Sequence, residues 1–239
     1  MCKHTGQPTS GTVPIRFSTY NIRNRRNSGL EAALRGMSQA NMDLGISQET
    51  KLTDGIYTHG SDGYSVVAKD APIRHCGGVA IFHLPAPHFA VEAVQQFGPN
   101  VIGFQLVTGA WRWCIVGCYL APDDTSTTER FAEAFRERPK GAELRVAGDL
   151  NINSVATEGD QREEYIAATL ATERLEDMAP HFLPRRRRWF RDRRTRCMLL
   201  KGRDMWSRTD YILGTDRRLF KNVSVQEPWH NSDHYMVLC

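Results

Sequence analysis

The chain has 239 residues, of which 41% are hydrophobic, 9% aromatic and 24% charged, a composition that supplies a substantial core and excludes disordered or collagen-like folds. The net charge is +4, yet eight arginines and one aspartate between Arg185 and Arg196 carry +7, leaving −3 on the rest. No apolar run approaches the roughly 18 residues that span a bilayer, and the polar stretch Met1–Thr12 lacks the apolar segment of a secretory signal.

A flexible N-terminus over 1–12 and one domain over 13–239 are expected, because no repeat, linker or composition break divides the remainder. Ile15–Ile22 alternates apolar and polar residues as a half-buried strand does. Ser28-Gly29-Leu30-Glu31 reads as a capping box opening a helix, with Leu30, Ala33, Leu34 and Met37 at helical spacing. Further strands are expected at Leu44–Gln48, Tyr64–Ala68, Gly78–His83, Phe89–Val94, Ile102–Val107 and Trp113–Leu120. No helix interrupts that run, which favours antiparallel neighbours. A helix over Thr127–Arg138, capped by Ser126 with Glu129 three residues on, leads to a strand at Leu144–Gly148. Then come a helix over Gln161–Ala171 and strands at Arg208–Leu213, Val223–Gln226 and His234–Leu238. Consecutive strands with peripheral helices predict a four-layer α/β/β/α sandwich, two mixed sheets face to face with helices outside.

The six cysteines form no C-x-x-C pair and no regular framework, so free thiols are expected. Cys114 and Cys118 share one face of a strand, a packing arrangement. His230 and His234 do not make a zinc pair: Pro228 and the turn-forming Asn231-Ser232 oppose the helix such ligands need. Neither a Walker A loop nor a G-x-S-x-G elbow is present.

Four segments share a layout that a core does not require. Tyr20-Asn21, Gln48-Glu49, Gly148-Asp149-Leu150-Asn151 and Ser232-Asp233-His234 each bring polar residues to the point where a strand meets a loop. Glu49 ends an otherwise apolar strand, where a charge is costly unless it meets water, a cation or a metal. In this order, TYNIR (Thr19–Arg23), SQET (Ser47–Thr50), GGVAIF (Gly77–Phe82), CYLAP (Cys118–Pro122), GDLN (Gly148–Asn151), SRTDYIL (Ser207–Leu213) and NSDHYMV (Asn231–Val237) resemble the successive motifs of the endonuclease/exonuclease/phosphatase superfamily, the deoxyribonuclease-I-like fold. Within it the chain is most similar to the endonuclease domain of non-LTR retrotransposons, on CYLAPDD (Cys118–Asp124) and SRTDYILGTDRRLF (Ser207–Phe220).

The resemblance implies Mg²⁺, with Mn²⁺ as its substitute, the hard cation that carboxylates and carboxamides recruit for phosphodiester hydrolysis. It implies Glu49 as principal metal ligand with Asn21 beside it and Asp233 as a further ligand. Asp149 would orient or deprotonate the attacking water, assisted by Asn151. His234 would donate to the scissile phosphate, held by Asp210, and Tyr119 would contact the phosphate or leaving oxygen. Thr195 falls where the retrotransposon enzymes have a phosphate-contacting threonine. Arg23 stands where apurinic endonucleases carry an acidic ligand, which predicts one carboxylate fewer at the metal. The basic stretch reads either as a solvated face or import signal, or as a DNA grip in which Arg185, Arg186, Arg187 and Arg188 take phosphates while Trp189 stacks. The resulting expectation is a monomeric, intracellular, nuclear DNA endonuclease that leaves a 3′-hydroxyl. Two alternatives stay open: a related phosphoesterase acting on phosphoinositide, sphingomyelin or RNA, and an inactive transposon-derived protein that only binds nucleic acid.

Overall fold

A computed structural model describes residues 13–23, 28–52, 55–58, 63–69, 77–109, 111–152, 160–182, 195–200, 203–227 and 232–239. The N-terminal 1–12, the grip residues Arg185 to Trp189, and His230 lie outside these described residues.

The first sheet is built from β1 (Phe17–Asn21), β2 (Leu44–Gln48), β3 (Gly55–Thr58), β4 (Ser65–Lys69), β5 (Val79–His83), β14 (Ser224–Gln226) and β15 (Met236–Leu238), in the order β14-β15-β1-β2-β5-β4-β3. The second holds β6 (Ala90–Gly98), β7 (Val101–Thr108), β8 (Trp111–Tyr119), β9 (Glu143–Asp149), β10 (Glu176–Asp177) and β13 (Asp210–Gly214), in the order β10-β13-β9-β8-β7-β6. Both sheets are mixed. The pairs β1–β2 and β8–β9 are parallel, and the other pairings antiparallel, as uninterrupted strands favour. A separate hairpin joins β11 (Arg196–Leu200) to β12 (Arg203–Ser207).

Alternation along each strand sorts the core into three apolar layers. Leu44, Ile46 and Ile81 of the first sheet meet Ile102, Phe104, Ile115 and Ile212 of the second. On the first sheet's outer face, α1 (Ser28–Gln39) buries Leu30, Ala33, Leu34 and Met37 against Tyr20, Val66, Phe82 and Met236. On the other side, α2 (Thr125–Arg136) and α3 (Gln161–Thr172) set Phe131, Phe135 and Ile166 on Val116, Val146 and Leu213. The α/β/β/α sandwich therefore stands. Gly117 lets the sheets approach: a Cβ there would lie 2.8 Å from Ile46 Cγ2.

Some expectations need correction. The cap of α2 is Asp124, not Ser126, because the Asp124 carboxylate accepts the Ser126 and Thr127 amides, and the helix runs Thr125–Arg136. The first strand shortens to Phe17–Asn21, while β6 extends to Gly98. The sequence reading missed β3, β10, a short helix α4 (Ala179–Phe182) and the β11–β12 hairpin.

Candidate active site

Parallel pairing brings the C-terminal ends of β1 and β2 together, and likewise those of β8 and β9, while antiparallel β13 starts at the same rim. Thus Asn21 faces Gln48, and Asp149 is flanked in register by Tyr119 and Asp210. The chain turns sharply just past these ends. Arg23, Glu49, Lys51 and Asn151 all take left-handed backbone conformations, with φ of 42°, 51°, 52° and 46°. Such strain in non-glycine residues collects where a fold is committed to aiming side chains.

Asn21 ties the two sheets together at this rim. Its Nδ2 donates to Glu49 Oε1 at 3.0 Å and to Asp149 Oδ2 at 2.9 Å, while its Oδ1 accepts the Arg23 amide at 3.1 Å. Asp149 Oδ1 accepts the Asn151 amide at 3.0 Å, which closes the turn after β9. On the far side of Asp149, His234 Nδ1 lies 2.9 Å from Asp210 Oδ2 and 3.8 Å from Asp149 Oδ2. Asn21, Asp149, Asp210 and His234 are all buried, whereas Glu49 and Asn151 are partly exposed. Tyr119 is buried in register with Asp149 at the end of β8.

Burial pushes the Asp149 carboxyl up to about 7, and the charge of Asp210 adds to the rise against the opposing pull of His234 and the Asn21 and Asn151 donors. Burial alone would lower His234, but Asp210 outweighs it by charge and hydrogen bond, with help from Asp149 and Asp233, so the imidazole titrates at about 9. At neutral pH the site therefore pairs an imidazolium with a carboxylate poised near half ionisation.

Asp233 approaches the same imidazole from its other nitrogen, with Oδ1 3.8 Å from His234 Nε2. Arg23 Nη1 lies 2.7 Å from its Oδ1 and Arg196 Nε lies 3.3 Å from its Oδ2. Burial alone would raise its carboxyl, but the Arg23 bond leads the opposing effects and the net shift is downward. Arg23 also feels the charge of Glu49, so both expected metal ligands lie on the same side of the molecule.

Thr195 is fully buried, and its Oγ1 accepts the Thr209 and Asp210 amides at 3.0 and 2.9 Å. Its backbone and that of Cys197 stitch the hairpin to the segment carrying His234: Tyr235 N donates to Thr195 O at 2.6 Å and Cys197 N to Asp233 O at 2.7 Å. Ser232 Oγ donates to Asn21 O at 2.9 Å and accepts the His234 amide at 3.1 Å, fixing the histidine turn to β1.

Arg162 escaped the sequence reading. Its guanidinium donates to Leu120 O at 2.7 Å, Leu150 O at 3.0 Å and Asn151 O at 3.2 Å, clamping the ends of β8 and β9 from the first turn of α3. The only local signal is its place two residues after Asp160, which caps α3.

Asp149, Asp210 and His234 each offer a ligand atom within 4.8 Å of one another. The expected metal set was different: Glu49, Asn21 and Asp233. Two of the three are carboxylates, and buried Asp210 Oδ1 has no hydrogen-bond partner, which suits a hard divalent cation on the carboxylates, while the protonated His234 has no lone pair to give.

No model of a known protein family matches the chain, and no curated protein matches it. Solved structures do. The endonuclease domain of TRAS1, a telomere-specific non-LTR retrotransposon, is 20% identical with a TM-score of 0.71, covering 94% of this chain and 97% of that one. An AP endonuclease from Archaeoglobus fulgidus is 17% identical with a TM-score of 0.70, covering 94% and 98%. The 3′ phosphatase NExo from Neisseria, bound to product DNA hairpin, is 18% identical with a TM-score of 0.68 over the same shares. The chain shares the fold of these solved structures.

Proposed function

We propose that the chain is a divalent-metal-dependent phosphodiesterase, a DNA endonuclease that nicks duplex DNA and leaves a 3′-hydroxyl. One observation carries this reading: a single hydrogen-bonded network, Glu49–Asn21–Asp149, meets the Asp210–His234 pair at one sheet rim. Such a set suits displacement at phosphorus, which needs an oriented water, neutralisation of added negative charge and a stabilised leaving oxygen.

Glu49, Asn21 and Asp233 would hold Mg²⁺ or Mn²⁺, which supplies charge neutralisation at the phosphate. Asp149, with its carboxyl raised to about 7, accepts the proton of the attacking water, and Asn151 keeps the turn that aims it. The new P–O bond forms as the bond to the 3′ oxygen breaks, and that oxygen takes a proton from solvent water to leave as a hydroxyl. The His234 imidazolium donates from Nε2 to a phosphate oxygen while Asp210 receives Nδ1–H, fixing the ring. Tyr119, in register with Asp149, steadies the phosphate or the leaving oxygen.

DNA as substrate is supported by the DNA hairpin on one structural neighbour and by the arginine stretch at 185–196. Among the described residues no helix is long and apolar enough to cross a membrane. The same neighbour's phosphatase chemistry makes removal of a 3′ phosphate the competing reading. End analysis separates the substrates. Nicked plasmid whose ends a DNA polymerase extends without prior phosphatase treatment supports the endonuclease; turnover confined to 3′-phosphate ends, inositol phosphates, sphingomyelin or RNA contradicts it.

A further inference from the structure

At the rim opposite this site lies a cavity of about 460 Å³. Its walls include Phe17 and Trp111, which begin β1 and β8, whereas the candidate active site uses Asn21 and Tyr119, which end them. Val13 and Trp111, 55% and 36% exposed, both line it and are two of the three large hydrophobic residues exposed among the described residues. Trp113, Leu106 and Phe220 complete an apolar lining.

One charge is built into that lining. Arg145 of β9 is only 9% exposed, and its guanidinium carbon sits 4.2 Å from the Trp113 ring centre and 4.5 Å from that of Phe220. Its Nη2 is buried without a hydrogen-bond partner, as is the Trp113 indole nitrogen. Nearby acids are committed elsewhere: Asp216 to Arg218 at 2.6 Å, and Glu143 to the Thr215 hydroxyl at 3.0 Å. The Cys239 thiol, also in the lining, is pushed up to about 12 by burial and so keeps its proton at neutral pH. Arg16, Arg218 and Lys221 also line the cavity, and no Asp or Glu does. A guanidinium held against aromatic rings with no carboxylate on it is a buried charge, and an oxyanion in the cavity that Arg145 lines would offset that charge.

From this geometry we infer that the cavity binds a small amphiphilic monoanion, a carboxylate on an aliphatic or aromatic body, with its head on Arg145 and its body against Trp111 and Trp113. The volume lies within the range of small-molecule sites. One buried cation is neutralised by one negative charge, whereas a dianion would leave a buried excess. The inference is independent of the proposed hydrolysis, because it is read out by binding alone.

The test compares octanoate with octanamide, its uncharged isostere, by calorimetry and tryptophan fluorescence on the full chain. Octanoate binds saturably and at least roughly tenfold more tightly than octanamide, the margin of a charge-assisted hydrogen bond. Arg145→Gln abolishes that preference while circular dichroism verifies the fold. Trp111→Ala, at a partly exposed position the fold tolerates, weakens both ligands several-fold and decides the matter even where Arg145→Gln does not fold. Absence of saturation below about 1 mM octanoate, equal affinity for the two ligands, or unchanged binding in Trp111→Ala overturns the inference. Saturable binding of an acidic peptide with none of octanoate overturns it as well.

Discussion

His234 Nδ1 lies 2.9 Å from Asp210 Oδ2, and both side chains are sealed from solvent. Asp210 gives the ring its orientation and leads the acidic groups, Asp149 and Asp233 with it, that together outweigh the burial that would otherwise lower it. Asp210→Asn keeps the shape and removes the charge. The expected outcome is a loss of roughly 10²–10³-fold in kcat on a DNA substrate, with KM little changed, the size of a lost donor to the charge that develops on the phosphate. The alkaline limb of the pH profile also moves down, since the imidazole then loses its proton earlier. An unmoved alkaline limb would contradict the role given to this pair.

The same titrations set stability in the metal-free protein. His234, raised from 6.5 to about 9, favours the folded state fully below pH 6.5, and that contribution is lost as pH climbs through 9. Asp149, raised from 3.8 to about 7, acts in the same direction over a lower window: the stability it lends falls away between pH 3.8 and 7 and is gone above that. Denaturant unfolding in chelator should show stability falling between pH 6.5 and pH 10, with His234 contributing about 3 kcal/mol. His234→Gln flattens the upper half of that curve. Stability that rises over this window would refute the assignment.

Thr195 supports the site from behind. Thr195→Val strands the buried Thr209 and Asp210 amides, and unsatisfied buried donors cost about 1–3 kcal/mol each. Guanidinium unfolding should therefore show a loss of about 2–4 kcal/mol, most of it restored in Thr195→Ser. A valine variant as stable as the parent would show that the hydroxyl is dispensable.

What was legible in the sequence follows from what is local. Strand ends such as Gln48-Glu49 and Gly148-Asp149 stand out because polarity interrupts an apolar strand, and the rim they mark carries Asn21, Glu49, Asp149 and Asp210. The hairpin at Arg196–Ser207 was not legible, since in the sheet order its two strands pair only with each other and join neither main sheet. Asp124 and Ser126 are both good caps; the carboxylate prevails by accepting two amides. Arg162 could not be foreseen because one of its carbonyl partners, Leu120, lies 42 residues away. The pairing of Asp233 with Arg23 and Arg196 depends equally on the tertiary fold and gives two arginine partners to a carboxylate that the motif pattern assigned to metal.

The arginine stretch makes an independent prediction about DNA affinity. Changing Arg185, Arg186, Arg187 and Arg188 to Gln should weaken duplex binding and reduce the slope of log K against log salt by about 0.9 for each phosphate no longer neutralised. Fluorescence anisotropy across a salt series measures both. Unchanged affinity at low salt would remove the grip and leave the stretch as a solvated face.

The most direct test of the central claim is relaxation of supercoiled plasmid by the purified chain in Mg²⁺, run beside Asp149→Ala. The network around Asp149 predicts conversion to open circles by the parent protein, abolished by chelator and reduced by several orders of magnitude in the variant. No relaxation in Mg²⁺ or Mn²⁺, or equal relaxation by parent and Asp149→Ala, would contradict it.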